Sequence, residues 1–517
     1  MSKYVIGVDI GTTSTKSVLY SERGKLIQQH AVGYPLDATT PGAAVQDPER
    51  IFQAVIATVK QVVAQAEVKR SDILCLSFSA AMHSLILVDR QGQPLTPSLT
   101  WADNRSAKWA EKLKEDGGQE IYARTGTPIH PMSPLVKLMW LRHSHPEWQQ
   151  AAKFISIKEY IFWQLFGEYV IDYSIASATG LFNLKRLTWD SEALALAGIK
   201  ASQLSQLVPT THIMRSLKPE YARQMGIAAD LPVVIGASDG VLANLGIGAI
   251  SPGIVAVTVG TSGAVRTTIS QPQTDPQQRL FCYALTENYW VIGGAVNNGG
   301  ITLRWVRDRL ADAEIDTARL LQQDPYDMLT AIADTIPAGS QGLIFHPYLA
   351  GERSPIWNAR ARGSFFGLAL HHNKAHLIRA VLEGVVYNLY LVLQALESIA
   401  GDVTKIRAAG GFARSVLWRQ MLADVFNREV CIPETYESSC LGAALLGLHA
   451  LGEIDDLAQT QSINHDIHQH EPIAENVAIY QQIMPIYCRL LDSFQSEYTA
   501  IAKLQQSLLD KSLNIEH

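Results

Sequence analysis

Two stretches of the chain, "VIGVDIGTTSTKSVLY" (residues 5–20) and "GIVAVTVGTSGAVRTT" (253–268), follow one plan: an apolar β run, a Gly-Thr step, a further small or hydroxyl residue, and a second β run. The steps are Gly11-Thr12 and Gly260-Thr261. A glycine between two such runs reads as a tight turn joining paired strands. The same supersecondary unit met twice, about half a chain apart, predicts two related domains. At 517 residues the chain also exceeds what one hydrophobic core usually serves. Glycines and Pro252 gather in "GIGAISP" (246–252), so the expected division is 1–248 and 249–475.

The punctuation of the remaining sequence supports an α/β fold. Tyr4 to Asp9, Thr15 to Tyr20 and Leu26 to Val32 read as a β-meander, broken at Gly11 and at Arg23-Gly24. Residues 48–66 carry Ile51, Val55, Val59 and Val62 at helical spacing after Pro48. Residues 73–89 return to strand, interrupted at Ser79 to His83. In the second half, residues 376–400 predict a long apolar helix with a core face, and beyond Pro472 a helical appendage (476–517) is expected. Strands alternating with helices imply the α/β class.

A Gly-Thr turn flanked by hydroxyls offers converging backbone N–H groups and side-chain donors, which suit phosphate oxygens. Each turn alone could be an ordinary hairpin; two of them, with Thr12, Thr13 and Ser14 beside one and Thr261 and Ser262 beside the other, point to a polyphosphate. Lys16 adds a cation, or is simply a strand lysine. There is no GxxxxGK[ST] and no GxGxxG opening a helix at the N-terminus, so P-loop and Rossmann readings fail. The glycine pair in "AAGGFARSVLWRQ" lies at a strand-to-helix junction, where backbone can meet a planar base or merely turn tightly. The apolar run "VVIGASDGVLANLG" (233–246) ends at Asp239, a carboxylate between Ser238 and Gly240. It is placed either to serve a ligand or to cap a helix beginning at Val241.

Bulk charge narrows the partners. A formal net charge of −6 leaves no basic surplus for nucleic acid or anionic lipid. The N-terminus has no signal-peptide pattern, and no long uninterrupted apolar run marks a membrane span, so a cytoplasmic protein is expected. The five cysteines are scattered, form no CxxC pair, and read as reduced core residues. Histidines cluster only at 143–145 and 371–376, without HExxH spacing, and read as loop and helix-start residues.

With these residues in view, the chain resembles the FGGY carbohydrate kinases over nearly its whole length. "DIGTTSTK" and "VGTSGAV" match the two phosphate motifs, "GGFARS" the adenosine motif, and "ESSCLGAALLG" (437–447) the helix after it. "MSPLVKLMW" (132–140) and "GSFFGLALHHNKAHLIRAVLE" (363–383) match the family signatures. The resemblance implies two actin/hexokinase-like, ribonuclease H-like ATPase domains with the active site in the cleft between them, and ATP with Mg²⁺ as cofactors. It implies Asp239 as catalytic base and Asp9 as the residue orienting Mg²⁺. Gly11, Thr12, Thr13, Ser14, Lys16, Gly260 and Thr261 would hold the phosphates, with Gly300, Gly411 and Ser415 along the nucleotide. Met82, His83, Trp101, Asp103 and Arg105 would form the sugar wall beside Asp239. A homodimer is the family expectation.

Several stretches, among them "SFSAAMHS", "TWADNRS", "RTGTPIHPMSPL" and "PYLAGERSPIWNARARGSFFGL", are closer to the gluconate-phosphorylating branch than to the xylulose branch, which shares "PYLAGER". The expected reaction is phosphorylation of D-gluconate at its 6-hydroxyl, with another sugar such as D-xylulose as the alternative. A non-catalytic actin-like ATPase would not need Asp239, "AMHS" and "WADNR" together. A gluconate carboxylate calls for a cation. Arg105 and Arg353 are the candidates, with His83, His130 and Lys158 behind them.

Overall fold

The computed structural model describes residues 3–434, 437–463 and 466–513. Two compact units emerge: one comprises Met1–Pro252, Thr268–Ile292 and Glu437–His465, the other Gly253–Thr267, Gly293–Tyr436 and Asp466–His517.

In the first unit the meander forms as its turns dictate: β1 (Tyr4–Ile10), β2 (Ser14–Ser21) and β3 (Leu26–Gly33) are antiparallel neighbours. β4 (Ile73–Ala80) then adds parallel to β1. With β5 (Ile213–Met214) and β6 (Val233–Ser238), the sheet order is β5-β6-β4-β1-β2-β3. β1 and β4 are buried along most of their length, as strands covered on both faces must be. The helix Pro48–Gln65 covers the sheet with Ile51, Val55, Val59 and Val62, all at most 1% exposed, and Asp47 caps its start.

The second unit repeats this plan. β7 (Ile254–Val259) pairs antiparallel with β8 (Gly263–Ile269), and β9 (Trp290–Val296) lies beyond β8. On the other side of β7 come β10 (Lys405–Ala409) and β11 (Val430–Pro433), parallel, and then β12 (Asp466–His470), antiparallel. Six of this sheet's seven strands, in the order β12-β11-β10-β7-β8-β9, follow the first sheet, with Phe281–Ala284 added at the edge beyond β9, so the two Gly-Thr turns occupy equivalent hairpins. Within this unit lies the helix Lys374–Ala400, long and apolar enough to cross a membrane; 83% of its most apolar window is buried.

The units are less contiguous than a linear division at residue 249 predicts. The helix Ser438–Ala450 belongs to the first unit, because glycines let backbones touch there. A Cβ on Gly442 would stand 1.9 Å from the Leu242 carbonyl oxygen, and one on Gly246 would stand 1.9 Å from that of Ser438. A Cβ on Gly7 would meet the Cys440 carbonyl oxygen at 2.1 Å. The expected appendage is one helix, Ala474–Leu513, whose Tyr480 and Tyr487 are buried in the second unit. Residues 514–517 of that stretch lie outside the described residues. Of the five cysteines, four are buried and Cys488 is half-buried.

Candidate active site

Asp239 owes its place to a bulge. Pairing of β6 with β4 slips between Val234 and Ala237, where Gly236 has φ +72°. A Cβ there would stand 1.7 Å from the Phe78 carbonyl oxygen, so no other residue fits. The strand then delivers Ser238 as the N-cap residue and Asp239 as the first residue of the helix Asp239–Gly246. This replaces the expected cap at Asp239 before Val241. The half-buried carboxylate sits at the positive helix end, Oδ1 accepts the Gly240 N–H at 2.6 Å, and Ser439 Oγ donates to the Asp239 carbonyl at 3.3 Å.

The β1–β2 turn is closed by Gly11 N–H to the Ser14 carbonyl at 3.0 Å. Its carbonyls are engaged by protein: Gly11 accepts from Tyr34 OH at 2.6 Å, Thr12 from Gln46 Nε2 at 2.6 Å, and Thr13 from Tyr34 N–H at 3.1 Å. A turn so anchored by its oxygens suits an anion on its other side. Asp9 and Lys16 are cross-strand partners. Ser79 Oγ donates to Asp9 Oδ1 at 2.6 Å. Burial pushes the Asp9 carboxyl above its ordinary value, against the Ser79 bond and Lys16. Lys16 Nζ in turn donates to Glu437 Oε2 at 2.5 Å. Glu437 is a residue that sequence reasoning passed over, although it opens the quoted "ESSCLGAALLG".

The sugar-wall candidates join this turn directly, since Trp101 Nε1–H donates to Thr12 Oγ1 at 2.9 Å. Met82 is half-buried, and His83 has φ +67°, with Nδ1 2.7 Å from the Ala178 carbonyl. Asp103 is fully buried and stands behind the wall instead of lining it. It accepts the Ala44 N–H at 3.1 Å and holds Arg105 through Nε at 3.0 Å and Nη2 at 2.6 Å. Arg105, one-quarter exposed, also lies 4.8 Å from the Trp140 ring centroid. Of the other cations proposed for a carboxylate, Lys158 is buried against Asp172 at 2.8 Å and is therefore a structural ion-pair residue. Arg353 belongs to the second unit, donating to Asn297 Oδ1 at 2.8 Å and the Val296 carbonyl at 3.1 Å. His130 is buried, its Nδ1 accepting the Met132 N–H at 3.2 Å.

In the second unit Gly260, Thr261, Gly300, Gly411 and Ser415 all line one pocket of about 290 Å³. Gly300 N–H donates to the Gly260 carbonyl at 2.7 Å, which ties the phosphate-type turn to the start of the helix Ile301–Leu310. Ser415 caps the helix Val416–Phe426, accepting from Trp418 N–H at 3.2 Å. Gly410 has φ +109° and would carry a Cβ 2.4 Å from the Val259 carbonyl oxygen, whereas a Cβ on Gly411 would meet no protein atom within 4 Å. Tyr326, Trp418 and Arg304 are among the other lining residues and were not foreseen; Trp418 follows Ser415 closely enough to have been inferred. Behind the pocket, Glu352 accepts from Asn297 N–H, Asn298 Nδ2 (3.0 Å), Arg353 N–H (2.8 Å) and Asn388 Nδ2 (3.0 Å). Burial pushes its pKa up to about 7 despite these donors.

A pocket lined by glycines in one unit, and a carboxylate beside a phosphate-type turn in the other, are each of a kind that phosphoryl transfer uses. Family models for the N-terminal and C-terminal domains of the FGGY carbohydrate kinases match residues 4–246 and 255–451. A gluconokinase of Bacillus subtilis (strain 168) is 56% identical over 512 residues, 98% of this chain and 99% of that protein. The crystal structure of gluconate kinase from Lactobacillus acidophilus superposes with a TM-score of 0.91 at 40% identity, covering 97% of this chain and 100% of that one. A ligand-bound xylulose kinase from Lactobacillus acidophilus has the same TM-score, 0.91, and the same identity, 40%, over 96% and 100% of the two chains. On this footing the chain belongs to the FGGY family of carbohydrate kinases.

Proposed function

We propose that the protein transfers the γ-phosphate of ATP to the 6-hydroxyl of D-gluconate, giving 6-phosphogluconate and ADP. The observation that carries the substrate is the 56% identity to a gluconokinase along essentially the whole of both chains. Asp239 is the base: as the bond from O6 to the γ-phosphorus forms and the bond to the bridging oxygen of ADP breaks, its carboxylate takes the hydroxyl proton. Because a sugar alcohol's pKa lies far above neutrality, that proton moves late. Thr12, Thr13 and Ser14 in one unit, and Gly260 and Thr261 in the other, are the phosphate contacts, and Gly300, Gly411 and Ser415 carry the nucleoside.

The donor set suits a hard cation, since Asp9 keeps Ser79 on Oδ1 while Oδ2 lies 4.0 Å from where a Gly11 Cβ would stand, on the turn's side. Mg²⁺ held there by Asp9, through water, would neutralise phosphate charge during transfer. We assign the reading of the gluconate carboxylate to Arg105, pre-set by Asp103 and Trp140 yet one-quarter exposed, because an anchored guanidinium loses little freedom on pairing with two oxygens.

ADP release with gluconate, xylulose, glycerol, ribulose and no sugar tests the reading. Gluconate is expected to give the highest kcat/KM. Preference for xylulose, the second reading favoured by the Lactobacillus acidophilus structure of that name, would replace the substrate. Release indifferent to sugar would end the kinase reading. Asp239→Asn is expected to keep ATP binding and lower kcat by at least about 10³-fold.

A further inference from the structure

Lys137, within the "MSPLVKLMW" signature, has no part in the reaction as described, and it is fully buried. It lies in the helix Pro134–Ser144, and its ammonium makes three hydrogen bonds, all to main-chain carbonyls: His83 at 2.9 Å, Thr100 at 2.7 Å and Met132 at 2.7 Å. An ammonium has three protons, so this arrangement uses each of them. The three carbonyls come from three separate segments: the turn after β4, the loop leading to Trp101, and the loop before the helix. Three carbonyl oxygens pointing at one spot repel one another unless a cation stands among them.

Two of the three belong to the sugar wall. His83 holds its backbone in the left-handed region, a conformation that costs a non-glycine residue on the order of 1 kcal/mol or more and persists only when its surroundings determine it. Its surroundings include the Lys137 bond on the carbonyl, the Ala178 carbonyl on Nδ1 and the edge-on Tyr283 ring. Thr100 immediately precedes Trp101, and its own N–H and hydroxyl both reach the Ala44 carbonyl, at 3.0 and 2.9 Å. The Lys137 bonds therefore tie the Trp101 loop to the His83 turn nearer the wall than the Leu85–Leu99 backbone bridge that also joins these segments.

We propose that Lys137 is the positioning residue of the acceptor site: its ammonium fixes where the His83 ring and the Trp101 indole stand relative to each other, and so sets affinity for the sugar acid without touching it. The inference rests on the wall reading given above, and the experiment separates the two. His83→Ala and Trp101→Ala establish the wall; if neither changes the KM for gluconate, the wall reading fails.

Given a working wall, Lys137→Met is expected to raise the gluconate KM at least tenfold while the ATP KM stays within twofold. Adding His83→Ala to Lys137→Met should then change the gluconate KM by less than the single His83→Ala does, since the ring it removes is already misplaced. A merely structural lysine would instead lower the active fraction with both KM values unchanged, and that result overturns the proposal. Should Lys137→Met fail to fold, Lys137→Arg decides, because it keeps the charge but its flat fork does not match three converging oxygens. A soluble Lys137→Arg enzyme with the native gluconate KM overturns the proposal, and a selective rise in that KM upholds it.

Discussion

Gly411→Ala isolates what the proposed nucleotide pocket asks of its floor. The added Cβ meets no protein atom within 4 Å, and the residue does not sit in the left-handed region, so the fold has nothing to yield. Replacing glycine where alanine fits removes freedom from the unfolded chain and stabilises by about 0.4–1 kcal/mol. The methyl group instead enters the pocket of about 290 Å³ that the nucleoside would fill. A base lying flat on the Gly411 backbone must retreat by about an ångström. Losing ~10 atom contacts at ~0.1–0.2 kcal/mol each costs about 1–2 kcal/mol, which is roughly a 5–30-fold rise in the KM for ATP. Steady-state ADP release at saturating gluconate measures that KM, and a melting curve measures the fold. An ATP KM within twofold of native, or a lowered melting temperature, would refute the reasoning. The adjacent Gly410→Ala is the contrast: with φ +109° and a Cβ 2.4 Å from the Val259 carbonyl oxygen, it should destabilise outright.

Arg105→Ala should raise the KM for gluconate well above any change for ATP, and equal effects on both would remove Arg105 from the carboxylate. The same change strips the buried Asp103 of its partner and should cost roughly 1–3 kcal/mol of stability, less than a fully buried pair because a quarter of the arginine is in solvent. Two buried groups of the second unit oppose each other in pH dependence. Burial raises Glu352 from 4.5 to about 7, so the folded state binds the proton more tightly and stability falls as pH rises through that window. Burial lowers His346 from 6.5 to about 4, so stability rises with pH between those values. Glu352→Gln should therefore make stability climb more steeply from about pH 4.5 to 6.5, by about 1.4 kcal/mol per unit relative to the native protein; parallel melting profiles would refute this.

Local punctuation made much of the fold readable in advance. Gly11 and Arg23-Gly24 bound the first three strands to within a residue of their observed ends, and the Gly-Thr repeat anticipated two related sheets that share a six-strand order. The second unit's candidate nucleotide residues converge because each is a glycine or small hydroxyl at a strand end or helix start, a position whose chemistry is local. What escaped depends on partners distant in sequence. Lys137 looked like any helix lysine, since the three carbonyls it binds come from segments up to 54 residues away. Glu352 was hidden for the same reason, its donors lying on a strand end and a long helix. Asp103 was read as a ligand contact because nothing in "WADNR" says that its carboxylate turns inward to anchor the Arg105 guanidinium.

The helix Ser438–Ala450 also governs how this protein can be made. It supplies the surface against which Gly7 of the first strand and Gly246 of the helix after Asp239 are pressed, yet it is translated only after most of the second unit. In an emerging chain the Asp9 and Asp239 region thus lacks this covering helix until about the last seventh of synthesis. Vectorial folding, first unit then second, is closed to it: the earlier unit waits on the later one. Cutting the chain at residue 252 would yield a fragment without a wall of its core, and gene truncations downstream of the nucleotide motif would disable the half of the protein they leave untouched.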